Sequence, residues 1–177
     1  MKRLCVYCGS SSGVREVYTQ AAREVGRLMA AQGLELVYGG GNVGLMGVLA
    51  DAVLQGGGHV IGVIPQSLVD KEVAHFQVSR LEVVESMHER KKLMADLADG
   101  FLALPGGIGT LEELFEIWTW AQLGFHHKPC ALLNVEGYYD HLLQFLERMT
   151  VEYFLKPSQL QHLLVETEPA RVLQRLC

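Results

Sequence analysis

Arg3-Leu4-Cys5-Val6-Tyr7-Cys8-Gly9-Ser10-Ser11-Ser12-Gly13 joins a short apolar run of strand character to a loop of small residues. Beyond it, Val14, Val17, Tyr18, Ala21, Val25, Leu28 and Met29 recur at spacings of three and four. That is the period of a helix with one buried face, and it runs through about Gln32. Gly33 is the expected stop, and residues 34–38 read as a second strand. The same alternation continues outward. A helix is predicted over 45–54 and a strand over 59–64. Further strands are predicted over 81–85, 101–104 and 130–135, each followed by a helix, with a last strand and short helix at 163–166 and 169–176. Strands apolar on both faces that alternate with helices imply a parallel sheet covered on both sides.

The expected fold is therefore α/β, one doubly wound, mostly parallel, Rossmann-like domain over 1–177, without repeats or linkers. The composition agrees: 49% hydrophobic and 20% charged residues exclude disorder. No apolar run approaches the ~20 residues of a membrane span, and the first eight residues are too short for a signal peptide. A cytoplasmic protein without a membrane partner is expected. Fifteen basic against 20 acidic residues give a net charge of −5, which argues against a nucleic-acid surface but not against a small anionic ligand. Cys5-Val6-Tyr7-Cys8 spells a C-x-x-C pair, yet residues three apart on a strand face opposite sides, so two buried thiols are expected. The seven histidines include no pair at i, i+4, so no metal is predicted.

In a doubly wound sheet, ligands bind beyond the carboxyl ends of the strands. Three loops there are unusual: 9–13, 39–47 and 105–110. Gly39-Gly40-Gly41-Asn42-Val43-Gly44 matches G-x-G-x-x-G, a dinucleotide fingerprint. It follows the second strand rather than the first, and Ile64-Pro65-Gln66 supplies no acidic partner for a ribose. NAD is therefore not expected, and the glycines serve a tight turn or a close approach. Pro105-Gly106-Gly107-Ile108-Gly109-Thr110 leads instead into a helix beginning near Leu111. Backbone N–H groups at a helix N-terminus favour an anion, and Thr110 can add a hydroxyl donor. No Gly-Lys-Ser/Thr follows, so a monophosphate fits better than a triphosphate.

Two sets of charges stand out. Ser86-Met87-His88-Glu89 resembles a capping box for a helix running to about Asp99. Arg90 then lies on a stripe with Met87, Met94 and Leu97, near the helix end that disfavours cations. Such an arginine is either a structural ion pair or snorkelling side chain, or it meets an anionic ligand. Thr110-Leu111-Glu112-Glu113 also fits a capping box, a sufficient structural reason for Glu113, with Glu112 and Glu116 on a solvated face. Leu114, Phe115, Ile117, Trp118 and Trp120 make that helix apolar around most of its circumference, so it is buried or part of a subunit interface.

Pro105-Gly106-Gly107-Ile108-Gly109-Thr110-Leu111-Glu112-Glu113 carries the P-G-G-x-G-T-x-x-E signature of the Lonely Guy family of cytokinin-activating phosphoribohydrolases, often labelled "lysine decarboxylase". Arg90-Lys91 after Met87-His88, the Gly39–Gly47 loop with Leu45-Met46, and Cys8-Gly9-Ser10-Ser11 resemble the same family, from about Lys2 to Glu152. The resemblance implies hydrolysis of the N-glycosidic bond in N6-modified adenosine 5′-monophosphates, without a cofactor, by a homodimer with active sites near the subunit boundary. It implies that Arg90 and Glu113 are catalytic. It implies substrate binding by Glu72, Arg90, Lys91, Gly107, Ile108, Gly109, Thr110, Leu111, Glu112, Glu113 and Thr119, with the phosphate and ribose on 107–110. Competing readings are an AMP or purine nucleotide nucleosidase and a nucleotide carrier or sensor without hydrolysis.

Overall fold

A computed structural model describes residues 1–71 and 73–177. Its strands are β1 (Arg3–Tyr7), β2 (Glu35–Tyr38), β3 (Val60–Pro65), β4 (Arg80–Val84), β5 (Gly100–Ala103), β6 (Cys130–Leu133) and β7 (Leu163–Glu166). Its helices are α1 (Glu16–Ala31), α2 (Gly44–Gln55), α3 (Gln66–Val69), α4 (Met87–Leu97), α5 (Ile108–Gln122), α6 (Asp140–Val151), α7 (Pro157–Leu160) and α8 (Pro169–Leu176). The strands form one sheet in the order β4-β3-β2-β1-β5-β6-β7. Every pairing is parallel. The expected strands and helices all occur, most with ends moved by one or two residues. Val14 drops out of the first helix and is fully exposed, because α1 starts only at Glu16.

The side-chain alternation of β1 explains the two layers. Leu4, Val6 and Cys8 join a core with α1, α2 and α8, while Cys5 and Tyr7 join one with α4, α5 and α6. The C-x-x-C thiols thus face opposite layers, both free and buried, and burial pushes both up from the ordinary thiol value. No helix among the described residues is long and apolar enough to cross a membrane.

Strand order reverses between β1 and β5. There, successive loops leave in opposite directions and open a crevice at the carboxyl edge. Gly9 ties the three unusual loops together at that crevice. Its N–H donates to Pro105 O (3.1 Å), and its carbonyl accepts from the Leu45 N–H (3.0 Å).

Candidate active site

The crevice is a cavity of about 240 Å³ lined by residues 9–13 after β1, residues 105–107 after β5, Leu45, Tyr18 and Tyr138. On one side lies the start of α5. The helix begins three residues earlier than expected, at Ile108, with Gly107 as N-cap and no side-chain cap. Gly109 and Thr110 therefore belong to its first turn. The expected capping box at Thr110–Glu113 is not formed, because both residues already lie inside the helix. Thr110 is buried, and its hydroxyl turns back onto Gly106, where an added Cβ would lie 2.1 Å from Oγ1. Ile108 is 87% exposed beside the glycines.

Freed from capping, Glu113 faces α4. The Ser86 cap expected there does form: Ser86 Oγ accepts from the Glu89 N–H at 3.1 Å. The Glu89 carboxylate returns to the Glu85 N–H (3.0 Å), one residue before the position a capping box predicts. Arg90 follows in the first turns of α4 and is buried, 8% exposed. Its Nε donates to Val63 O and its Nη2 to Gly39 O, each at 3.1 Å. Its Nη1 lies 3.5 Å from Glu113 Oε1. Arg90 thus spans the carboxyl ends of β2 and β3 and the second turn of α5. Burial raises the Glu113 carboxyl above the ordinary glutamate value, and Arg90 opposes that rise; Glu112, Lys91 and Glu116 act more weakly.

Gly39 explains why the first glycine loop is glycine-rich. A Cβ there would stand 1.9 Å from Arg90 Nη2. Its side of the fingerprint makes room for a guanidinium. The facing segment after α3 is bonded to the same loop: the Asn42 N–H donates to Val73 O (2.9 Å) and the His75 N–H to Gly40 O (2.8 Å). Buried His75 is anchored through Nε2 to Asp51 Oδ1 at 3.0 Å. Glu72 lies outside the described residues.

The remaining predicted residues divide. Lys91 is largely buried between Glu112 (2.5 Å) and Glu116 (3.0 Å), so those two carboxylates are ion-paired across α4 and α5 rather than simply solvated. Leu111 is half-buried against the α4–α6 core. Thr119 is exposed on α5, eleven residues and about 16 Å of helix rise beyond Ile108, so within one subunit it does not meet the cavity. Leu114, Ile117 and Trp118 are buried in the chain's own core, and Trp120 packs partly against it. Sequence reading missed Tyr138 and Tyr139, whose hydroxyls donate to Gly106 O and Leu104 O, each at 2.6 Å. The turn signal Glu136-Gly137 just before them was their one visible mark. Among the described residues no three His, Cys, Asp or Glu side chains form a metal cluster.

A helix N-terminus at the switch point of a doubly wound sheet, with a buried Arg–Glu pair beside it, defines a Rossmann-like protein equipped for a small anionic ligand. The family model described as "Possible lysine decarboxylase" matches residues 46–176. The cytokinin riboside 5′-monophosphate phosphoribohydrolase LOG5 of Arabidopsis thaliana is 51% identical over 97% of this chain and 75% of its own. LOG1 of the same plant is 50% identical over 97% of this chain and 80% of its own. The chain belongs to this Lonely Guy family of phosphoribohydrolases. Among solved structures, the molybdenum cofactor binding protein of Rippkaea orientalis superposes with a TM-score of 0.75 at 21% identity, covering 99% of this chain and 95% of that one. The molybdenum cofactor carrier protein of Chlamydomonas reinhardtii gives 0.74 at 20%, over 99% and 97%. At that identity the likeness is one of fold.

Proposed function

We propose that this chain hydrolyses the N-glycosidic bond of N6-modified adenosine 5′-monophosphates, releasing the free base, a cytokinin, and ribose 5-phosphate. The observation that carries the reading is the buried Arg90–Glu113 pair beside the glycine-rich start of α5. In this reading the 5′-phosphate sits on the free N–H groups of 107–110, where the helix dipole and charge-assisted hydrogen bonds favour it. The bond between ribose C1′ and the base breaks, the base leaves with the electron pair and takes up a proton, and water adds to C1′. Positive charge builds on the sugar as it does in glycoside hydrolysis. The Glu113 carboxylate stabilises that charge and orients the water. Arg90 keeps Glu113 ionised against the effect of its burial. Lys91 acts through Glu112 and Glu116, and Glu72 is retained as an acidic ligand for the nucleotide. Water is the sole co-reactant, so no cofactor enters.

Incubation with isopentenyladenosine monophosphate, AMP and adenosine tests this. Free base is expected from the monophosphates, fastest from the N6-modified one, and little from adenosine. No base from either nucleotide would remove the enzymatic reading. Equal rates on AMP and adenosine would remove the phosphate seat.

The same reading extends to a homodimer with α5 at or near the interface. Exposed Leu123 and Phe125 at the end of α5 and half-buried Trp120 support it, and the exposed Thr119 would reach a nucleotide only from a second copy. Trp120→Glu is then expected to shift the sedimenting species from dimer to monomer. A wild type that is monomeric at micromolar concentration would contradict this.

A further inference from the structure

The elbow between β6 and α6 is built more tightly than a connection requires. Glu136 (φ 49°) and Gly137 (φ 73°) are consecutive left-handed residues, and the first is not glycine. Such a conformation persists where surrounding contacts over-determine it. Here buried Asn134 supplies them. Its backbone N–H donates to Glu166 O (2.8 Å). Its Nδ2 donates to Asp140 Oδ1, and its Oδ1 accepts from the Tyr139 N–H, each at 2.7 Å.

The product of this scaffold is two adjacent tyrosine hydroxyls on one neighbouring loop. Tyr139, buried, donates to Leu104 O; Tyr138, on the cavity wall, donates to Gly106 O. The Tyr138 ring also meets Tyr18 edge-on, with centroids 5.3 Å apart and planes at 73°. Leu104 is the last residue before the loop, and Gly106 lies within it. The peptide between Gly106 and Gly107 is planar and trans, so its C=O and N–H point in opposite directions. Fixing the Gly106 carbonyl therefore fixes the direction of the Gly107 N–H, the first donor at the start of α5. Gly107 has no side chain to do this, and a Cβ there would meet nothing within 4 Å.

We propose that Tyr138 is a positioning residue of the phosphate seat: its hydroxyl clamps the Gly106–Gly107 peptide so that the N–H array is oriented before the ligand arrives. This rests on reading residues 107–110 as that seat. Without the clamp, ligand binding must itself order the loop, which weakens ground state and transition state alike. Tyr138→Phe keeps the ring and its contact with Tyr18 and removes only the hydrogen bond. The expected result is a KM for AMP and a Kd for ribose 5-phosphate that rise together by about five- to tenfold, with kcat within about twofold. Unchanged KM and Kd would overturn the proposal, as would a fall in kcat at constant KM. A melting temperature lowered by more than about 5 °C would also overturn it, since the hydroxyl would then be a prop of the fold. Calorimetry on the wild type separates the two levels. If wild type binds ribose 5-phosphate and the variant binds it equally well, only the clamp fails. If wild type does not bind it, the phosphate seat fails and the clamp with it.

Discussion

Gly39-Gly40-Gly41 after β2 and Gly106-Gly107 with Gly109 after β5 look interchangeable in sequence, yet Gly107 and Gly109 answer a different demand from the rest. At Gly39 the missing side chain is space already filled by Arg90, and at Gly44 an added Cβ would stand 2.3 Å from the Ser10 carbonyl carbon. That loop is glycine-rich because other parts of the protein press against it. At Gly107 and Gly109 nothing lies within 4 Å of where a Cβ would be, and neither needs a positive φ. Packing gives no reason for glycine there. The open space over free N–H groups at a helix N-terminus suits a group from outside the chain. Glycine required by the fold and glycine with no neighbour thus sit in loops that Gly9 ties together, and only the occupied space tells them apart.

The largest expected effect lies where both loops converge. Glu113→Gln should lower base release by roughly 10²- to 10³-fold, as loss of a preorganised electrostatic group does. The fold should hold, because Arg90 retains its bonds to Val63 O and Gly39 O. Steady-state rates beside a thermal melt check this, and a fully active variant would leave Glu113 a structural partner of Arg90.

Gly39→Ala tests the loop explained by packing. Arg90 must move to admit the methyl group, so activity should fall about 100-fold, the scale of an ångström's misplacement at a reacting centre. Stability should fall by about 1–3 kcal/mol, as overpacking does. A variant as stable and active as wild type in denaturant titration and assay would break the contrast between the loops.

Gly109→Ala tests the other loop and should behave oppositely. Alanine in the first turn of a helix should add about 0.4–1 kcal/mol of stability. The methyl group should obstruct the ligand and raise KM for AMP about tenfold, the scale of one or two hydrogen bonds. Unchanged KM would mean that the open glycines do not face the nucleotide.

The smallest effect is a shift in pH dependence. Burial places the Glu113 carboxyl above an ordinary glutamate, with Arg90 and Lys91 lowering it and Glu112 and Glu116 raising it. The proposed mechanism needs the ionised form, so the acid limb of kcat/KM should fall above the ordinary glutamate value. Lys91→Met removes one cation and leaves Glu112 and Glu116 uncompensated, so the limb should move further up. The same raised carboxyl gives stability the opposite slope with pH. The folded chain holds this proton more tightly than the unfolded chain, so stability declines as pH rises between the two values. Glu113→Gln should remove that decline. A limb that moves down in Lys91→Met would reverse the assigned role of Lys91.

Much of this molecule was readable in its sequence because the signals are local. Patterning marks all seven strands and the longer helices but not the four-residue α3 and α7, the opposite facing of Cys5 and Cys8 follows from strand geometry, and the glycines of 105–110 mark the loop that leads into α5. The stripe of Met87, Arg90 and Met94 singled out a misplaced cation. The Ser86 cap was likewise visible, since it involves residues three apart.

What the sequence did not contain was distance between segments far apart in the chain. Glu113 satisfied a capping pattern equally well, and the earlier start of α5 removed it from that role and set it 3.5 Å from an arginine 23 positions away. Lys91 could have faced solvent or ligand until α4 packed on α5 and enclosed it between two carboxylates. The glycines at 39–44 could have served a tight turn or a close approach until Arg90 filled the space beside Gly39. Tyr138 carried almost no mark, since its partner is a backbone carbonyl 32 residues earlier. Periodicity and turn chemistry determine elements because they are written in neighbouring residues. A site is determined by which loops the strand order brings to one edge, and that is settled only when the sheet has assembled on both sides of β1.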